Sequence, residues 1–163
     1  MKWLRDELKK YLTDGNFDLV AGGSSSKYLD LREAFGNPEL LNCVVNNIFG
    51  LVDIRPNFVA GSGYGGITLA TAVSLRQGIN LTLVRDVQKD HGKKQIIEGY
   101  RPKENDLGIV VDDVMTTGQS LEKLLWVLLS AGTKIHGCYV VVKRGDGQIS
   151  VPLHYLYTLD DLT

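Results

Sequence analysis

Residues 109–120 read Ile-Val-Val-Asp-Asp-Val-Met-Thr-Thr-Gly-Gln-Ser, and no other stretch limits the fold so tightly. Three apolar residues run into two adjacent carboxylates, a short hydroxyl- and glycine-rich stretch follows, and a helical pattern begins near Gly118. A continuous apolar run is what a strand buried on both faces requires, the usual condition of a parallel strand inside an α/β sheet. Asp112 and Asp113 then fall at its carboxyl end, the edge where open α/β sheets receive their ligands. The expectation is strand, loop and helix in direct succession, with the acids at the rim of the sheet.

The rest of the chain repeats that alternation. Trp3, Leu4, Leu8, Tyr11 and Leu12 recur at helical spacing and predict a short amphipathic first helix. Residues 17–32 mix apolar residues with Gly22, Gly23 and three serines, which reads as strand and turn. Asn37 and Pro38 suit the N-cap and first position of a helix carrying Leu41, Val44, Val45, Ile48 and Leu51. A short strand at 57–60, a glycine-rich turn at 61–66, a helix to about Gln77 and a strand at 81–84 follow. Residues 86–99 are polar and without a sustained apolar period, so a long loop is expected. Strand 107–111, helix 118–130 ending near Gly132, strand 136–142, loop 143–150 and a strand near 154–158 complete the order. Alternating strands and helices imply an α/β fold with a mostly parallel, doubly wound sheet. At 163 residues, a single domain over 1–163 is expected.

Composition excludes several partners. A net charge of −1 provides no electrostatic case for nucleic acid. No apolar run is long enough to span a membrane, and residues 1–11 are charged, unlike a signal peptide. Cys43 and Cys138 sit in apolar stretches without metal-like spacing and suit small core residues in a reducing compartment, so a cytoplasmic protein is expected. His136 and His154 fall in expected strands and suit structural roles, and Trp126 among leucines suits the core.

Hydroxyls and backbone amides at Thr116, Thr117, Gly118 and Ser120, where a helix opens, make a phosphate cradle. Carboxylates repel phosphate but accept hydrogen bonds from sugar hydroxyls. Together the two halves suit a ribose 5-phosphate. Gly61, Gly63 and Gly66 also spell Gly-x-Gly-x-x-Gly, with Asp86 after the next strand, the parts of a dinucleotide fingerprint. That fingerprint normally opens on the first strand, and a dinucleotide would leave residues 112–118 without a role. An anion-binding loop of Gly61, Ser62, Gly63, Tyr64 and Gly65, fit for a pyrophosphate, accounts for both stretches. Ordinary turn chemistry is the alternative there.

Residues 109–120 resemble the phosphoribosyl-pyrophosphate motif of the type I phosphoribosyltransferases. Four segments, in order, are similar to the orotate phosphoribosyltransferases within that family. They are 22–32 (with Ser24-Ser25, Tyr28 and Asp30-Leu31-Arg32), 61–69, 85–99 (matching at Arg85, Lys89, Asp90, Gly92, Lys94, Glu98 and Gly99, with His91 an accepted variant) and 110–120. Arg144 falls where that family has a base-contacting arginine.

The resemblance implies a small hood over the sheet from the N- and C-terminal segments, residues 1–36 supplying hood and base site. It also implies a flexible catalytic loop at 86–98. The activity implied joins orotate to phosphoribosyl pyrophosphate, with Lys89, His91, Asp112 and Asp113 as the catalytic set. Donor contacts would come from Arg85, Lys89, His91, Gly61, Ser62, Gly63 and Tyr64, and from Asp112, Asp113, Val114, Met115, Thr116, Thr117, Gly118, Gln119 and Ser120. Orotate would meet Ser25, Tyr28, Thr116 and Arg144. Mg²⁺ is the implied cofactor, held near Asp112 and Asp113 through substrate and water rather than directly. The implied partner is a second copy, whose loop 86–98 reaches the neighbouring site.

Some positions depart from the family. Gly65 and Asp86 stand where lysines are common, and Lys143 where an aspartate usually precedes the arginine. A transferase for a purine or another base, and a weakly catalytic donor-binding regulator, are the alternative readings.

Overall fold

A computed structural model of the chain describes residues 2–18, 24–85 and 96–163. Helix α1 (Lys2–Lys9) buries Leu4 and Leu8. An antiparallel hairpin follows, β1 (Leu12–Asp18) with β2 (Ser24–Leu29). One helical turn, α2 (Leu31–Ala34), is capped by Asp30, whose carboxylate accepts from the Glu33 N–H at 3.0 Å. Helix α3 (Pro38–Phe49) opens as its sequence predicts: the Asn37 side chain accepts from the Glu39 and Leu40 amides, and proline takes the first position. It ends at Gly50, short of Leu51.

The sheet elements follow as β3 (Phe58–Gly61), α4 (Gly63–Gln77), β4 (Asn80–Val84), β5 (Ile97–Gly99), β6 (Leu107–Met115), α5 (Gln119–Ser130), β7 (Lys134–Lys143) and β8 (Leu153–Thr158). A 3₁₀ turn over Asp160–Leu162 ends the chain. The six strands lie in the order β5-β4-β3-β6-β7-β8. All neighbours are parallel except β5, which runs antiparallel to β4. From β3 the chain winds outward to β4, and from β6 outward the other way to β7 and β8. The winding therefore reverses between β3 and β6, which opens a crevice at their carboxyl ends.

Alternation along the central strands explains why they read as continuous apolar runs. Val59, Ile109, Val111, Tyr139 and Val141 face the layer built by α1, α2, α3 and α4. Phe58, Ala60, Val110, Cys138 and Val140 face α5, which buries Leu121, Leu124, Leu125 and Leu128 against them. Cys138 is buried and Cys43 half-buried, neither in a disulfide. Burial pushes the Cys138 thiol well up, which makes it an inert core residue. The two ends of the chain meet where the Lys9 ammonium donates to the Thr163 carbonyl at 3.0 Å, and the hairpin meets Arg144 through the Lys27 carbonyl. Among the described residues no helix is long and apolar enough to cross a membrane.

Several expectations are corrected. Residues 61–66 are not a free turn: α4 already begins at Gly63, whose φ of +63° starts the helix from a left-handed residue. Strand β6 does not stop at Val111; β7 pairs with it as far as Met115, so both acids lie within the strand. Part of the expected loop 86–99 is strand, because residues 97–99 pair with the edge of β4. The segment 144–152 joins parallel strands β7 and β8 without a helix. Residues 86–95, with Lys89 and His91, lie outside the described residues.

Candidate active site

Asp112 and Asp113 sit at the winding reversal, and the backbone beside them holds both carboxylates in place. The Asp113 N–H donates to Asp112 Oδ1 at 2.9 Å, and the Val114 N–H donates to Asp113 Oδ1 at 2.7 Å. Each acid is thus aimed by the amide that follows it.

The first turn of α4 comes against them so closely that only glycines fit. A Cβ on Gly65 would stand 2.2 Å from Asp113 Cγ, and one on Gly66 would stand 3.2 Å from Asp112 Oδ1. A Cβ on Gly61 would meet the Gly66 carbonyl at 2.2 Å. These contacts account for Gly61 and Gly66 in the fingerprint-like pattern: they pack a helix onto β3 and β6. The positive end of the α4 dipole faces the carboxylates and the adjoining crevice, a favourable setting for negative charge.

A cleft of about 490 Å³ spreads from this point. Ser62, Gly63, Tyr64 and Gly65 form one wall, Asp112, Asp113, Val114, Thr116 and Ser120 the floor, and Tyr28, Arg32 and Arg144 the hairpin side. A smaller recess of about 70 Å³ adjoins it, lined by residues 114–121 together with Asp112. Gly118 turns the chain there at a φ of +84°, and the Gln119 N–H points to Thr117 Oγ1 at 3.5 Å as α5 begins. The recess thus lies at a helix N-terminus, a setting whose backbone N–H groups favour an anion. Met115 is buried beneath it in the core on the α5 side, and its carbonyl accepts from the Arg144 N–H at 2.8 Å.

Arg144 reaches the hairpin, its Nη2 donating to the Lys27 carbonyl at 3.2 Å. The Tyr28 ring lies tilted against Phe17 with centroids 5.4 Å apart, and its hydroxyl accepts from Arg32 Nη2 at 2.7 Å. Arg32 was not singled out as a site residue by sequence, yet it lines the cleft. Tyr28 first, then Asp30, hold its guanidinium charged above the ordinary value, with a smaller pull from Asp113. The signal was available in Tyr28-x-Asp30-x-Arg32, where the arginine four positions on reaches back to the Tyr28 hydroxyl.

Other expected site residues stand apart from this cleft. Arg85 pairs with Glu98 at 2.5 Å and lines a neighbouring groove of about 500 Å³ with Trp126, Lys123 and Glu122. Among the described residues Ser62 and Ser120 alone border both spaces. Ser25 lies in β2 opposite Phe17. Lys89 and His91 are outside the described residues. His136 pairs with Asp53 at 2.9 Å and His154 stacks on Tyr139 at 4.7 Å, so both are structural, as expected. Trp126 is not core: it is 69% exposed on the outer face of α5. Among the described residues no group of three or more His, Cys, Asp or Glu could hold a metal ion directly. Two carboxylates without a third protein ligand suit Mg²⁺ held largely by water and substrate oxygens.

Residues 40–160 match the family model of the phosphoribosyl transferase domain. An orotate phosphoribosyltransferase of Pyrococcus furiosus is 36% identical over 147 residues, covering 88% of this chain and 79% of that protein. One from Methanococcus maripaludis is 33% identical, covering 98% and 94%. The crystal structure of orotate phosphoribosyltransferase from Aeropyrum pernix superposes with a TM-score of 0.86 at 31% identity, covering 99% of this chain and 94% of that one. Identity of this extent, on a sheet whose winding reverses at paired acids between the glycine-rich start of α4 and the 116–120 loop, has one reading: the chain belongs to the phosphoribosyltransferase family, in its orotate phosphoribosyltransferase branch.

Proposed function

We propose that the chain transfers ribose 5-phosphate from phosphoribosyl pyrophosphate to orotate, giving orotidine 5′-monophosphate and pyrophosphate. The observation that carries this is the placement of Asp112 and Asp113 between the recess at residues 114–121 and the first turn of α4. A donor with its 5-phosphate in the recess and its pyrophosphate over Ser62–Gly65 sets its ribose on the two acids. Orotate then enters on the hairpin side, between Tyr28, Thr116 and Arg144.

Displacement at the anomeric carbon forms the carbon–nitrogen bond to the base and breaks the carbon–oxygen bond to pyrophosphate. Positive charge builds on the sugar and negative charge on the leaving group. Asp112 and Asp113 accept the ribose hydroxyls and stabilise the cationic ring. Backbone amides at Ser62–Gly65 meet the leaving anion at the first turn of α4. Thr116, Thr117, Gly118, Gln119 and Ser120 fix the 5-phosphate, and Arg144 offers a planar fork to a carboxylate or carbonyl of the base. Asp112 and Asp113 are the residues that would hold Mg²⁺, through water rather than directly, and bound with the donor it would supply positive charge against the pyrophosphate. Lys89 and His91 complete the charge on the leaving group, with Lys89 worth roughly 3–4 kcal/mol in the transition state, while Arg85, paired with Glu98 on the neighbouring groove, stands outside this set.

The protein acts as one transferase domain, in the cytoplasm, as a homodimer in which loop 86–98 serves the neighbouring site. The test is direct: purified protein with donor, Mg²⁺ and orotate, following loss of the orotate absorbance. Turnover that requires Mg²⁺ and falls by about 10²–10³ in Lys89→Ala is the expected result. Pyrophosphate release with a purine base and not with orotate would move the base assignment. Donor binding without turnover on any base would favour a regulator.

A further inference from the structure

The segment 144–152 carries Arg144 at its start, and its far limb is fastened to the phosphate half of the site. Glu122 of α5 accepts both the Ser150 N–H and the Ser150 hydroxyl, the latter at 3.1 Å. Between these ends the segment lies against the recess without clearance. A Cβ on Gly147 would stand 2.2 Å from the Thr116 carbonyl, and one on Gly118 would stand 2.8 Å from Ile149 Cγ2. Gly145, just after the arginine, turns the chain at a φ of +78°. The Pro152 carbonyl then accepts from the Cys138 N–H at 2.8 Å as the chain enters β8. No helix supports this crossover, so its course depends on such contacts.

We propose that Glu122 is a positioning residue for base binding: by clamping Ser150 it holds the 144–152 crossover against the phosphate loop and thereby fixes Arg144. This rests on the assignment of Arg144 to orotate made above. Glu122 lies on α5 and borders the neighbouring groove rather than the cleft that contains the acids. Its Ser150 bonds are charge-assisted, the kind whose loss is felt most. Without them the crossover is free to shift while Thr116–Ser120, built on β6 and α5, stay in place. Orotate affinity therefore depends on Glu122, and donor affinity does not.

The experiment compares steady-state constants for Glu122→Ala, Glu122→Gln, Ser150→Ala, Arg144→Ala and the Glu122→Ala/Arg144→Ala pair, with circular dichroism confirming folding of each. Glu122→Ala is expected to raise the orotate KM about tenfold while kcat and the donor KM stay within about twofold. Glu122→Gln keeps an oxygen for the Ser150 N–H and retains most of the affinity, and Ser150→Ala gives a smaller rise than Glu122→Ala. In the Arg144→Ala background, removing Glu122 adds nothing further to the orotate KM. An orotate KM that moves in Arg144→Ala but not in Glu122→Ala overturns the clamp alone. So does an additive effect in the double variant, or an equal rise in both substrates' KM. An Arg144→Ala enzyme with unchanged orotate KM overturns the arginine's assignment and the clamp with it.

Discussion

Gly65 carries no side chain because the Asp113 carboxylate already fills the space one would take, 2.2 Å from where a Cβ would lie. Gly65→Ala must turn that carboxylate or tilt α4. Displacing a catalytic group by about 1 Å costs about 10²-fold, so kcat/KM is expected to fall that far with little change in melting temperature. Full activity in Gly65→Ala would show that Asp113 need not stand where it does. Tyr139 presents the opposite case, a large side chain kept for its ring. It is fully buried, stacked on His154, and its hydroxyl has no hydrogen-bond partner among the described residues. Burial pushes its phenol up to about 12. Tyr139→Phe keeps the ring and removes the orphan hydroxyl, so urea unfolding should find the variant at least as stable, by up to about 1 kcal/mol.

At the scale of elements, the turn between β5 and β6 is held by one carboxylate. Asp106 accepts from the Lys103 N–H at 2.7 Å and from the Tyr100 hydroxyl at 2.8 Å, and these bonds hold it below the ordinary aspartate value of 3.8. A depressed folded pKa contributes stability that is present above the unfolded value and lost as pH falls through the folded one. Asp106→Asn should therefore be less stable than the parent at neutral pH, with the deficit shrinking as pH drops below 3.8 in a series of denaturation curves. Elements with local signals were legible in sequence: Asn37-Pro38 marked a helix start, and Ile109–Val111 running into two acids marked the central strand and the rim of the site. Elements defined by their neighbours were not. Strand β5 covers only Ile97–Gly99 and exists because β4 leaves an edge to pair with. The reach of β6 to Met115 depends on the length of β7. The tight seat of Gly65 and Gly66 requires knowing that α4 lies across β6, which no spacing in the chain reveals. Arg32 was hidden for the same reason, since its place in the cleft comes from how the hairpin folds over.

For the whole molecule, the site follows from the order of winding, because β3 and β6 diverge only once in the sheet. If loop 86–98 serves the neighbouring copy, a Lys89→Ala protein mixed with an Asp113→Asn protein should recover activity neither has alone. Random pairing at equal amounts restores about a quarter of the sites in a symmetric dimer. A mixture as inactive as its parts would place the loop over its own site. The two faces of the sheet are also unequally covered. Helices α1, α2, α3 and α4 pack on one, while α5, the 144–152 crossover and the chain around Tyr100 cover the other. The recess at residues 114–121, proposed above to hold the 5-phosphate, belongs to that thinner layer. Local opening there needs less structure to come apart, so its amides should exchange with solvent sooner than those of α3. Ligand held at a hundred times its Kd stabilises the closed form by about 2.7 kcal/mol. Donor should therefore slow exchange across α5 far more than across α3, making the layer that moves most easily the one whose motion the substrate controls.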